Sequence, residues 1–264
     1  MLIAQLSDLH IRPRGQLYKG LVDSNAMFAQ AIAHLHGLDR RPDLVLISGD
    51  LVDEGDVDEY TMLAELLQPL QLPLLLMPGN HDSRDALRQA FAGHHYLPAH
   101  GPLHWCDDRH ALRIVALDSC VPGQHHGHID AQGLDWLART LAADRHKPTL
   151  VLLHHPPLVS GIAYLDEYRC FGEQALAEVI TSAGNVEAVL CGHVHRAMFR
   201  RWAGTVLASC PSTTTQIALQ LRADARPQSY AGPAACLLHL WQPGEGLVSH
   251  VSHIGPQPGP YPFF

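Results

Sequence analysis

The chain has 264 residues, 47% of them hydrophobic and 17% charged, with a formal net charge of −8. That length suits one globular domain with an appendage, and the acidic balance excludes a surface that tracks DNA or RNA through clustered lysine and arginine. No apolar run approaches the roughly 18 residues of a membrane span, and the opening M-L-I-A-Q-L-S-D lacks the basic region of a signal peptide. A soluble, cytoplasmic protein is therefore expected, with its scattered cysteines reduced.

Short apolar runs bounded by turn residues occur at 1–6, 43–48, 73–77, 112–117, 149–153, 186–191, 205–210 and 235–241. Rich in Leu, Val and Ile, they read as strands buried on both faces. Helical spacing links Phe28, Ile32 and Leu35, then Tyr60, Leu63, Leu67 and Leu70. It returns at Leu134, Leu137, Ala138 and Leu141, and again at Leu176, Val179 and Ile180. Such alternation predicts βαβ units in a layered α/β domain. After Ser182 the helical pattern fades, and 200–254 reads as β-rich. The expected organisation is a core over 1–210, a cap or dimerisation segment at 211–234, returning core strands at 235–254, and an irregular tail at 255–264. Prolines preclude regular structure in that tail.

Five short motifs close these strand-like runs. They are S-D-L-H with Asp8 and His10, G-D with Asp50, G-N-H-D with Asn80 and His81, H-H-P-P with His154, and G-H-V-H with His193 and His195. In α/β sheets, ligands bind beyond the carboxyl ends of strands, and all five motifs take that place. Carboxylate oxygens and imidazole nitrogens suit Mn, Fe, Co or Zn, and the lack of thiolates argues against a closed structural zinc site. In D-x-H and H-x-H, side chains two apart on an extended or turning backbone reach the same cavity. Taken singly, Asp8 is equally a cap residue, Asp50 and Asn80 are turn formers, and His154 is a core histidine. Their ordered succession favours two divalent cations sharing a carboxylate and hydrolysing phosphate esters.

The set resembles the calcineurin-like metallophosphoesterases, whose signature D-x-H … G-D … G-N-H-[DE] … H … G-H-x-H runs here without a gap. It is most similar to the cyclic-nucleotide and glycerophosphodiester phosphodiesterase branch, through S-D-L-H, L-Y-K-G-L-V-D-S-N, P-G-N-H-D, L-L-H-H-P-P-L and L-C-G-H-V-H. The resemblance implies a four-layer αββα sandwich with a small C-terminal β-rich cap or oligomerisation segment. It implies one ion held by Asp8, His10, Asp50 and His195, and a second by Asp50, Asn80, His154 and His193. His81 would assist departure of the leaving oxygen, after in-line attack by a metal-bound hydroxide. Asn80, His81, His195 and Tyr18 would meet the substrate. The expected substrate is a small phosphodiester, either a 3′,5′-cyclic nucleotide such as cAMP or a glycerophosphodiester. The expected assembly is a homodimer or larger homo-oligomer.

Departures from other branches sharpen this reading. The run G-D-L-V-D-E-G has Glu54 where protein phosphatases carry an arginine, and Asp53 where purple acid phosphatases have a tyrosine ligand. Alternative readings are a broad phosphomonoesterase of the same superfamily and a non-catalytic scaffold. His125, His126 and His128 read as a third metal site, a substrate-facing loop or a solvated turn. Asp23 and Asn25 read either as substrate contacts or as a helix start. Arg200, Arg201, Arg222 and Arg226 read as phosphate contacts or as solvated surface.

Overall fold

The computed structural model describes residues 1–262. Its first part runs β1 (Leu2–Leu6), α1 (Ser24–His36), β2 (Leu44–Ser48), α2 (Val57–Leu67), β3 (Leu74–Met77) and α3 (Arg84–Ala90). The middle part comprises β4 (Trp105–Asp107), β5 (Arg113–Ala116), β6 (Gly127–His128), α4 (Ala131–Ala142) and β7 (Thr149–Leu152). It continues through α5 (Ala163–Asp166), β8 (Cys170–Phe171), α6 (Glu173–Ala183) and β9 (Val186–Cys191). The rest is all β: β10 (Met198–Trp202), β11 (Thr205–Ser209), β12 (Gln216–Ile217), β13 (Ser229–Tyr230), β14 (Ala235–Gln242) and β15 (Gly246–His253).

Two sheets dominate, ordered β15-β14-β1-β2-β3 and β10-β11-β9-β7-β5-β4. Strand alternation divides their side chains between two layers of packing. In the first sheet Ala4, Leu6, Val45 and Ile47 turn outward against Phe28, Ile32, Leu35, Tyr60 and Leu63 of α1 and α2. Ile3, Leu44 and Leu46 turn inward and meet Ile114, Leu150, Leu152 and Leu190 of the second sheet. Val115, Val151 and Val189 then face Leu137, Leu141, Leu176 and Ile180 of α4 and α6. The result is an αββα sandwich, which explains why the strands read as apolar throughout.

Strands β1, β2 and β3 run parallel, as do β5, β7, β9 and β11. Their carboxyl ends open on one rim. Strand β4 and helix α3 carry no clear sequence signal, and β10 and β15 fall largely in the stretch expected to be β-rich, without an apolar run of their own. Helix α3 buries one apolar residue, Leu87, and β10 and β15 are sheet edges with mostly exposed or half-buried side chains. Leu70 belongs to a 3₁₀ turn over 68–70, because Pro69 cannot continue the helix bonding of α2. The tail residues 255–262 are irregular, and Phe263 and Phe264 lie outside the described residues. Among the described residues, no helix is long and apolar enough to cross a membrane.

Candidate metal centre

The loops after β1, β2, β3, β7 and β9 bring Asp8, His10, Asp50, Asn80, His154, His193 and His195 to the rim between the sheets. Local backbone shape does much of this. Asp8, His10, Asp50, His193 and His195 all have left-handed φ values, of 55°, 45°, 49°, 69° and 48°. D-x-H and H-x-H therefore converge through alternate left-handed residues. Each such residue costs on the order of 1–3 kcal/mol and persists only where neighbours hold it. Here Asp8 N donates to Gly49 O and His10 N to Asp50 O, at 3.0 and 3.1 Å. Ser212 Oγ donates to Asp8 O at 2.8 Å, and His193 N donates to the Asp8 carboxylate at 3.0 Å.

Asp50 stands between two clusters. Its Oδ2 lies 3.8 Å from His10 Nε2, and its Oδ1 lies 3.2 Å from His154 Nε2. On the first side, His10 Nε2 and His195 Nε2 are 3.2 Å apart, and His195 Nε2 is 3.4 Å from Asp8 Oδ1. Two nitrogens each about 2.1 Å from a shared ion would be separated by roughly 3.0–3.4 Å, so this spacing fits a common cation. On the second side, the rings of His154 and His193 meet edge to face at 5.2 Å.

Hydrogen bonding fixes which atoms remain for an ion. His154 Nδ1 donates to Ser48 O, and His195 Nδ1 donates to Thr215 O, both at 2.8 Å. With Nδ1 engaged in this way, each ring directs its Nε2 into the centre, as metal-binding histidines do. With no ion bound, burial opposes protonation of His154, but Asp50 outweighs it and raises the pKa to about 9. Asn80 Oδ1, His154 Nε2 and His193 Nε2 are buried without a hydrogen-bond partner. Buried polar atoms left in this way are costly unless a ligand such as a cation completes them. The donor set thus fits two hard or borderline divalent ions.

The electrostatics agree. Burial alone would raise the Asp50 pKa, but His154, His81 and His10 outweigh it and hold the carboxyl ionised. Burial and the neighbouring His154 push His193 well below the ordinary histidine range, which leaves its imidazole neutral. Burial lowers His195 to about 4 despite the pull of Asp8.

His81 is half-buried above this floor. Its ring Nδ1 donates to Asp53 O at 2.6 Å, and its backbone N donates to Asp50 Oδ1 at 3.0 Å. Burial opposes its protonation, but Asp50, the Asp53 carbonyl and the Asp53 carboxylate together raise its pKa. Tyr18 is 2% exposed and stacks flat on His10 at 4.5 Å, so it supports that ring and offers little surface to solvent. A cleft of about 530 Å³ opens beside Asn80, His81, Arg12, Lys19 and Glu54.

Several contributors were not singled out in the sequence. Asp82, the last residue of G-N-H-D, accepts from Gly79 N at 2.7 Å, Leu51 N at 3.1 Å and Tyr60 Oη at 2.9 Å. It clamps the β2 and β3 loops together. Arg12 Nη1 donates to Asp53 Oδ2 at 3.0 Å and to Glu59 Oε1 at 2.8 Å, so Asp53 is an outer carboxylate beside His10, 3.3 Å from its Nδ1. Residues 211–215, placed by sequence in the cap, are buried beneath the centre. The P-S-T-T-T run gave no periodicity to reveal this. The hairpin β12–β13 follows, half-buried in β12 and exposed in β13.

The remaining candidates are structural or peripheral. Asp23 caps α1 by accepting from Ala26 N at 2.9 Å, and Asn25 brackets the backbone of Arg12. His126 packs on Phe171, and His128 Nδ1 donates to Phe171 O, while His125 turns toward Asn80. These three histidines form no metal-binding group among the described residues. Arg200 and Arg201 lie on edge strand β10, and Arg222 pairs with Asp224 in the hairpin region.

The profile of the calcineurin-like phosphoesterases matches residues 1–197, three-quarters of the chain and every motif of the centre. This chain belongs to that family. A probable glycerophosphodiester phosphodiesterase, GpdQ, of Arcobacter nitrofigilis is 34% identical over 265 residues, covering 100% of this chain and 97% of that protein. The 3′,5′-cyclic adenosine monophosphate phosphodiesterase CpdA of Escherichia coli is 31% identical over 223 residues, covering 81% of this chain and 76% of its own. A dimetal phosphatase from Danio rerio shares the fold with a TM-score of 0.63 at 14% identity, covering 97% of this chain and 99% of that one. The fold shared with that structure extends beyond residue 197 to the returning strands β14 and β15.

Proposed function

We propose that this calcineurin-like phosphoesterase hydrolyses small phosphodiesters, glycerophosphodiesters or 3′,5′-cyclic nucleotides, at a two-ion centre. The division of Asp50 between two ligand clusters carries the reading, supported by the names of the relatives. Asp8, His10, Asp50 and His195 hold one ion, and Asp50, Asn80, His154 and His193 hold the other. Manganese, iron, zinc and cobalt all suit this oxygen–nitrogen set.

When bound, the two ions supply charge to phosphoryl oxygens and acidify water. The protein supplies the rest. Asp50 and the buried histidines would hold the ions, and the left-handed turns keep those side chains in place before substrate arrives. His81, tethered through Nδ1, leaves Nε2 for the leaving oxygen or a phosphoryl oxygen. Asn80 and His195 contact the phosphate from the floor. Tyr18 acts through His10.

Six free cysteines support a cytoplasmic location. Exposed Leu219, Leu221 and Tyr230 around the β12–β13 hairpin support self-association there. A panel of cAMP, glycerophosphocholine and an aryl phosphomonoester, assayed with added manganese, tests the activity. Diester turnover should exceed monoester turnover and fall on the order of 10³-fold in Asp50→Ala, the loss of several kcal/mol of charge stabilisation. Faster monoester turnover, or an unaffected Asp50→Ala variant, would overturn the assignment.

A further inference from the structure

His155 stands beside His154 and within reach of His193, and by position alone it competes for an ion. Its hydrogen bonds assign it elsewhere. His155 Nε2 lies 3.1 Å from the carbonyl oxygen of His125, which can only accept, so Nε2 carries the proton. The unprotonated Nδ1 then accepts from Ser119 Oγ at 2.8 Å. Both ring nitrogens are committed.

The chain of bonds continues at His125. Asn80 Nδ2 lies 3.3 Å from His125 Nδ1, and an amide nitrogen can only donate. With the amide placed this way, His125 Nδ1 is the acceptor. With Nδ2 engaged in this way, Asn80 Oδ1 is the amide atom left facing inward, and it is buried without a partner. The turn carrying His125 is itself anchored. Gly127 N donates to Arg169 O at 3.1 Å, His128 N donates to Ser119 O at 2.9 Å, and β6 pairs with β8. Gly127 also passes so close to His155 that a Cβ there would sit 2.6 Å from its Cγ.

We propose that His155 and His125 are positioning residues which orient the Asn80 amide, so that its oxygen and not its nitrogen faces the second ion. The proposal rests on the two-ion reading above. An asparagine amide is nearly symmetric in shape but opposite in charge at its two ends. Turned about, it would direct N–H groups at a cation. The His125 acceptor selects the useful orientation, and the Ser119–His155 arm fixes where the His125 backbone sits. This accounts for the second histidine of H-H-P-P and for the first of the three clustered histidines.

The test is calorimetric titration of metal-depleted protein with Mn²⁺, alongside the electron paramagnetic resonance signal of the coupled pair. His125→Ala should bind the first equivalent normally and the second about tenfold to hundredfold more weakly, as outer partners of ligands typically do. His125→Gln, which restores an acceptor oxygen, should recover most of that loss. Ser119→Ala, a milder change, should weaken the second equivalent less. Unchanged second-ion affinity in His125→Ala, or equal weakening of both ions with no rescue by glutamine, would overturn the proposal. Asn80→Ala separates the two levels of inference. If it too leaves the second ion untouched, the two-ion assignment fails; if it loses that ion while His125→Ala keeps it, only the positioning role fails.

Discussion

Gly79 packs so tightly against Asp50 that a methyl group on it would overlap the Asp50 carboxylate and backbone nitrogen, and would lie 2.8 Å from His154 Cε1. The glycine of G-N-H-D is therefore a requirement of close approach. Gly79→Ala must displace Asp50 or His154. We expect a cost of about 1–3 kcal/mol in stability from overpacking and substoichiometric metal after dialysis. Elemental analysis paired with urea unfolding checks both; full metal content at unchanged activity would refute the expectation.

Asp82 gathers three donors, Gly79 N, Leu51 N and Tyr60 Oη. Asp82→Ala leaves them unpaired in a buried place, where each lost partner costs about 1–3 kcal/mol. A drop of about 3 kcal/mol in unfolding free energy is expected, with Asp82→Asn milder because its amide oxygen still accepts. Urea midpoints of the three proteins compared at one pH decide this.

Arg84 Nε donates to Asp118 Oδ2 at 2.6 Å, and Leu103 N and Cys120 N donate to the same carboxylate. Burial favours the protonated acid, but Arg84 and these N–H groups outweigh it and hold the Asp118 pKa below the usual range. The stabilisation is therefore present above the ordinary carboxylate pKa and disappears as pH falls through the folded value. Arg84→Ala strands a buried charge and should cost about 3 kcal/mol at neutral pH. Its acid-unfolding midpoint, followed by circular dichroism, should move to higher pH than that of the unaltered protein.

His239 is fully buried, bonded to Ser249 Oγ at 2.7 Å and Gln5 Oε1 at 3.0 Å. Burial lowers its pKa to about 3. An unfolded histidine takes up a proton below roughly pH 6.5, and the folded one does not. Its contribution is thus complete above that pH and declines toward pH 3, by up to about 1.4 kcal/mol per pH unit. His239→Gln, less stable at pH 7.5, should lose less stability than the unaltered protein between pH 7.5 and 5. Parallel pH profiles would count against this account.

The layered fold was legible because buried parallel strands need apolar residues on both faces, as in L-V-L-I-S and V-E-A-V-L-C. Edge strands have no such need, and β10 and β15 were anticipated only as part of a β-rich stretch, without bounds, for that reason. Motif residues at strand ends could be located because turns after parallel strands share one rim. Their left-handed backbone could not, since Asp8, His10 and His193 carry nothing in their identity that demands a positive φ. Nor could the outer partners, because Ser48 and Thr215 act through carbonyl oxygens that every residue possesses. Ser212 acts through its hydroxyl, yet it lies in a polar run without period.

Strand β1, which leads directly to Asp8 and His10, lies between β2 and β14, with Leu2 opposite Leu240. Its partner on one side is synthesised almost at once; the other comes some two hundred residues later. At about 5–20 residues per second on the ribosome, that interval is roughly ten to fifty seconds. During it the nascent chain presents an open β edge, and the strand that ends at Asp8 and His10 is paired on one side alone. A product truncated before β14 would carry all seven of these side chains yet leave β1 without its partner on that side.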